Sequence, residues 1–122
     1  MSVEAAFARA FNAHDLTAMT ALLAPAASAT LIGSGFPPEQ GAGAIREGSF
    51  PHLLEGDGLR ASVHKHDDRV YVAFRDEDGM LDSLAALDVV DGVIQALRYH
   101  TRWHDEAFVE QVARATTSRP DA

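Results

Sequence analysis

From Leu59 to Trp103 the chain alternates apolar and polar side chains in four runs: LRASVHKH, RVYVAFRDE, MLDSLAALDVV and VIQALRYHTRW. Asp67-Asp68, Asp78-Gly79 and Asp91-Gly92 separate them. Period-two alternation predicts strands, and Asp-Gly between such runs predicts tight hairpins, because type I′ turns need residues that accept positive φ. The segment therefore reads as a four-stranded antiparallel meander. Two-residue turns set its register. His64 then faces Tyr71, Val63 faces Val72, Arg75 faces Asp82 and Arg69 faces Asp88. In the last hairpin Leu84 faces Tyr99 and Ser83 faces His100. Opposed Arg–Asp pairs support the register, since opposite charges across strands stabilise a sheet slightly.

That register divides the side chains between two faces. Ala61, Val63, Val70, Val72, Phe74, Leu81, Ala85, Leu87, Val89, Ile94 and Ala96 make a core face, interrupted toward one end by Ser83, Arg98, His100 and Arg102. The other face carries Ser62, His64, Tyr71, Ala73, Arg75, Asp82, Leu84, Ala86, Asp88, Leu97, Tyr99 and Trp103, a mixture suited to solvent or to a second subunit. A bulge in the last strand would reverse part of this division.

Helical spacing precedes the meander. Val3, Phe7, Ala10 and Phe11 recur on one face of a helix over Val3–Ala13. Asp15 can cap a second helix with Leu16, Met19, Leu22 and Leu23 inward, limited by Pro25. Ser28–Ile32 reads as a short strand. Gly33–Gly43 (GSGFPPEQGAG) has no helical or strand period and reads as a loop. Ala44–Glu55 reads as a third helix, with Ile45, Leu53 and Leu54 apolar and a break at Pro51. After Trp103, Asp105 can cap a last helix bearing Phe108, Val109 and Val112. Helices over one antiparallel sheet make an α+β domain. It spans residues 1–115, with residues 116–122 a frayed tail.

Composition narrows the function classes. A length of 122 residues suits one domain with a true core. A net charge of −8 argues against nucleic acid, which is bound mostly through basic footprints. With no cysteine there is no thiol nucleophile, disulfide framework or cysteine zinc site. No apolar run approaches the ~20 residues that span a membrane. The early acidic, amphipathic N-terminus is unlike a signal peptide, so a cytoplasmic protein is expected.

FARAFNAHDLTAMTALLAP at Phe7–Pro25, GAGAIREG at Gly41–Gly48 and VVDGVIQALRYH at Val89–His100 together resemble the nuclear transport factor 2-like superfamily, nearest its SnoaL-like and ketosteroid isomerase-like branch. The resemblance covers nearly the whole chain through the order and spacing of these segments. It implies a cone-shaped curved sheet covered by N-terminal helices (a cystatin-like, nuclear transport factor 2-like α+β barrel), one deep pocket and a homodimer through the open sheet face. It also exposes differences. Phe7 falls where the isomerases carry the oxyanion-hole tyrosine, Leu31 near their proton-transferring aspartate, and Ala86 near their protonated acid. The limonene epoxide hydrolase pattern meets Tyr99 in place of its last-strand aspartate. Steroid isomerisation is therefore not expected.

His100 is the strongest chemical candidate: on the pocket side, opposite Ser83 and near Arg98, an imidazole can exchange a proton near neutral pH. The competing reading is a buried histidine satisfied by Ser83 or by backbone. Arg98 can clamp a carboxylate, enolate or carbonyl oxygen, or pair with an acid from a covering helix. Ser83 lacks a nucleophile elbow and an acid to orient His100, so a serine hydrolase is not expected. His64 and His66 share a strand face without a third ligand, so no metal or other cofactor is expected. Phe7, Phe11, Leu54, Phe74 and Leu87 are expected to wall the pocket. The function expected is binding of a small apolar molecule, with acid/base isomerisation, cyclisation or dehydration as its enzymatic form. The alternative is a non-catalytic ligand-binding or protein-interaction domain. An open cleft of several hundred Å3 favours a ligand; a filled cone favours an interaction module.

Overall fold

The meander forms, and the first strand of the chain adds to it beside the meander's last strand. The computed structural model describes residues 1–55 and 58–117. In chain order the elements are α1 (Val3–Asn12), α2 (Leu16–Ala21), β1 (Leu23–Leu31), β2 (Glu39–Gln40), α3 (Ala42–Glu47), α4 (Ser49–Leu54), β3 (Arg60–His66), β4 (Arg69–Arg75), β5 (Leu81–Val90), β6 (Val93–Thr101) and α5 (Glu106–Thr117). One curved, unclosed sheet runs β2-β1-β6-β5-β4-β3, with β1 parallel to β6 and every other pair antiparallel. The tail expected from Thr116 lies, from residue 118 onward, outside the described residues; α5 itself continues to Thr117. No helix among the described residues is long and apolar enough to cross a membrane.

Local chemistry explains the element boundaries. Ser2 caps α1 by accepting the Ala5 N–H, and Asp15 caps α2 by accepting that of Ala18. Asp67, Asp68, Asp91 and Gly92 adopt positive φ in the two tight turns. The expected third helix divides at Gly48, and not at Pro51. Pro51 sits in the first turn of α4, where an N–H would have no helical acceptor, so its ring is tolerated. The expected Gly33–Gly43 loop contains β2, which pairs with β1 through Ser28–Gln40 and Ala29–Glu39. β1 begins at Leu23, five residues before the expected strand, because pairing with β6 overrides the helical pattern of Leu22 and Leu23.

The sequence register holds between β3 and β4, where His64 faces Tyr71 and Val63 faces Val72. It shifts in two other places. Asp76 organises a wider loop, its carboxylate accepting the N–H groups of Asp78 and Met80, so Arg75 pairs with Leu81 and not with Asp82. Between β5 and β6 a bulge follows Asp88, leaving Gln95 as the extra residue. Beyond it Ser83 faces Thr101, Leu84 faces His100 and Ala85 faces Tyr99. A one-residue slip moves each later side chain to the opposite face. Leu97, Tyr99 and Thr101 therefore share the face of Ser83, Ala85 and Leu87, and Arg98 and His100 do not.

The helices cover both faces. Under α1–α4 the core contains Phe7, Phe11, Met19, Ile45, Phe50, Val72, Phe74, Ala85, Leu87, Ile94 and Leu97. Phe7 meets Phe50 edge to face at 5.6 Å, and Phe11 meets Phe74 at 4.9 Å. Asn12 ties α1 to β3, donating to the Ala61 carbonyl at 2.9 Å and accepting its N–H at 2.8 Å. On the other face α5 lays Val109 and Val112 over Tyr71, Ala73, Leu81, Leu84 and Ala86. α5 thus covers Tyr71, Leu84 and Ala86 of the sheet face expected to pair two subunits. Val63 and Val70, expected in the core, lie beyond the covering helices and are exposed.

Candidate functional site

The aromatic pairs are buried in the core, and a cavity remains on the same face of the sheet. It has a volume of about 350 Å3. β1 contributes Ala29 and Leu31, α4 contributes Ser49, His52 and Leu53, and the neighbouring strands contribute Ser83, Tyr99 and Thr101. Glu39 of β2 reaches it from the side. Phe36, Pro37, Trp103 and His104 line it from two loops.

Its polar groups form a short chain. The Ser49 N–H donates to Glu39 Oε2 at 3.0 Å, and the Ser49 hydroxyl lies 3.3 Å from the Tyr99 hydroxyl. Glu39 Oε1 and Thr101 Oγ1 are buried and have no hydrogen-bond partner among the described residues. Burial pushes the Tyr99 hydroxyl well above the usual phenol range and the Glu39 charge adds to this, while the hydrogen bond with Ser49 opposes it. Tyr99 is thus held as a neutral phenol beside a carboxylate, a pairing that can donate and accept hydrogen bonds at once.

The expected site residues are divided between the two faces. Ser83 is buried and lines the cavity. Arg98 projects from the α5 side of the sheet and makes a bidentate pair with Asp88 at 2.6 and 3.0 Å. That pair holds the Asp88 carboxyl below its usual range, with Arg69 acting in the same direction. Arg98 is satisfied by a neighbouring strand, and not by a covering helix. His100 also lies on the α5 side, with Nδ1 2.8 Å from Asp105 Oδ2 and its ring 4.6 Å from that of Phe108. The acid that orients His100 exists, but it sits before α5 and away from the cavity. The expected walls Phe7, Phe11, Phe74 and Leu87 are buried core, and Leu54 packs against that core; Leu53 faces the cavity. Among the described residues no group of three or more possible metal ligands occurs.

Sequence reasoning missed Glu39, Ser49, Tyr99 and Thr101. Two signals bear on them. Glu39 is the sole acid in GSGFPPEQGAG. The apolar series Ile94, Leu97, Tyr99 breaks strict alternation by one residue, which is the mark of a bulge.

No family model and no curated protein matches the chain. Solved structures do. A protein from Burkholderia xenovorans LB400, described as NTF-2 like and of unknown function, superposes with a TM-score of 0.62 at 13% identity, over 79% of this chain and 77% of that one. A candidate polyketide cyclase from Xanthomonas campestris pv. campestris gives 0.53 at 24% identity, over 88% and 91%. TerC, co-crystallised with polyporic acid, gives 0.56 at 16% identity, over 88% and 92%. The chain has the nuclear transport factor 2-like fold, as its segment order suggested.

Proposed function

We propose that the protein binds a small, largely apolar molecule in the cavity bounded by Ala29, Ser49, Ser83, Tyr99 and Thr101. The observation that carries this reading is the cavity itself: its volume of about 350 Å3 falls at the lower end of the ~300–1,000 Å3 common for small-molecule sites. A filled cone would have favoured an interaction module. TerC, co-crystallised with polyporic acid, and the candidate polyketide cyclase support the reading by fold alone.

Acid/base isomerisation, cyclisation or dehydration is the enzymatic form of this proposal. Non-catalytic binding is favoured by one observation: Phe7, which the sequence resemblance puts where the isomerases carry the oxyanion-hole tyrosine, is buried against Phe50. A thermal-shift screen of small apolar compounds tests the reading against Ala29→Leu, which places a larger side chain in the cavity wall. The expected result is compounds that raise the wild-type melting temperature and leave the variant unchanged. Equal shifts in both proteins, or none in the wild type, would remove the cavity from the account.

A further inference from the structure

The wall of the cavity has a polarity that selects among ligands. One Glu39 oxygen is committed to the Ser49 N–H, while Oε1 is buried with no partner among the described residues. An ionised carboxylate can only accept hydrogen bonds, so Oε1 requires a donor. The Thr101 hydroxyl, also buried and unpartnered, can donate or accept. None of the described residues lining the cavity is lysine or arginine. Its two imidazoles, His52 and His104, are solvent-exposed, where any charge they carry is screened. An anion entering here meets a like charge at Glu39 and no lysine or arginine among the described lining residues.

The rim adds a shape preference. Trp103 is 91% exposed and Phe36 65% exposed, yet both line the cavity opening. The Phe36 ring meets that of His104 edge to face at 6.2 Å. Aromatic faces at a mouth of this kind stack on flat molecules.

We propose that the cavity takes a planar, non-anionic molecule whose hydroxyl or N–H group, of the phenol, enol or amide type, donates a hydrogen bond to Glu39 Oε1, and that it rejects carboxylates. This rests on the cavity being a ligand site. Glu39 is then both the recognition group and the acceptor placed to receive a proton from such a hydroxyl.

Calorimetric titration at neutral pH with naphthol, its methyl ether and naphthoate tests the proposal, because the three share one ring system and differ in the donor. Naphthol should bind at least about tenfold more tightly than either of the others, as expected for one hydrogen bond to a charged group. In Glu39→Gln the amide oxygen keeps the Ser49 N–H, which turns the amide NH2 toward the cavity. The naphthol preference should then disappear and naphthoate should gain affinity. Equal binding of all three to the wild type would overturn the polarity proposal and leave the ligand site standing, as would an unchanged preference in a folded Glu39→Gln. No binding of any probe would overturn both. The wild-type comparison decides even if the variant does not fold.

Discussion

The Glu39 carboxylate reaches the Ser49 N–H because residue 48 has no side chain. A Cβ on Gly48 would lie 2.0 Å from Glu39 Oε2 and 2.9 Å from the Ala44 carbonyl oxygen. The break between α3 and α4 and the placement of the carboxylate are therefore one feature. Gly48→Ala should displace Glu39, cost about 1–3 kcal/mol by overpacking and weaken naphthol binding. Urea unfolding and calorimetry measure the two effects. Unchanged stability and affinity would mean that the carboxylate does not need this approach.

His100 holds α5 in place. It bonds Asp105 and packs at a tilt against Phe108, while Tyr71 approaches the His100 ring edge to face at 6.3 Å. His100→Ala should lower stability by about 1–3 kcal/mol, the cost of a lost charged hydrogen bond and an aromatic contact. Amide exchange in α5 should quicken, and affinity for cavity ligands should stay the same. Loss of binding in a stable variant would return His100 to the site.

Tyr99 predicts the alkaline limb of the stability curve. Above pH ~10 an unfolded tyrosine loses its proton, while the buried Tyr99 keeps it. The unfolded state then binds fewer protons than the folded one, so stability is full below that pH and falls as pH rises. The slope attributable to Tyr99 should approach ~1.4 kcal/mol per pH unit. Urea midpoints between neutral and strongly alkaline pH should fall more steeply for wild type than for Tyr99→Phe. Parallel curves would show that the hydroxyl is not buried.

Leu84 lies beneath α5, fully buried. Leu84→Glu should therefore unfold or strongly destabilise a single chain, by more than about 3 kcal/mol for an unpaired buried charge. A folded variant whose only change, by sedimentation and circular dichroism, is dissociation of a dimer would show that α5 does not cover this face.

Much of the fold was legible in the chain. Asp67-Asp68 and Asp91-Gly92 announced their turns, and the phenylalanine spacing in α1 announced the core, because these signals are local. Three features were not local. The parallel pairing of β1 with β6 joins strands more than sixty residues apart, and no turn records it. The bulge after Asp88 inserts one residue and so exchanges the fates of Tyr99 and His100. β2 is two residues long, too short to show a period, yet it carries Glu39. The lining of the cavity was not legible because its main strand passes through the bulge and its carboxylate comes from a two-residue strand.

The central claim is that ligands enter on the Tyr99 side of β6, and not on the His100 side. Amide chemical-shift mapping of the 15N-labelled protein titrated with naphthol tests this directly. The account predicts saturable shifts at Ala29, Ser49, Ser83 and Thr101, with His66, His100 and Phe108 unmoved. Shifts confined to the second group, or no saturable shift at all, would contradict it.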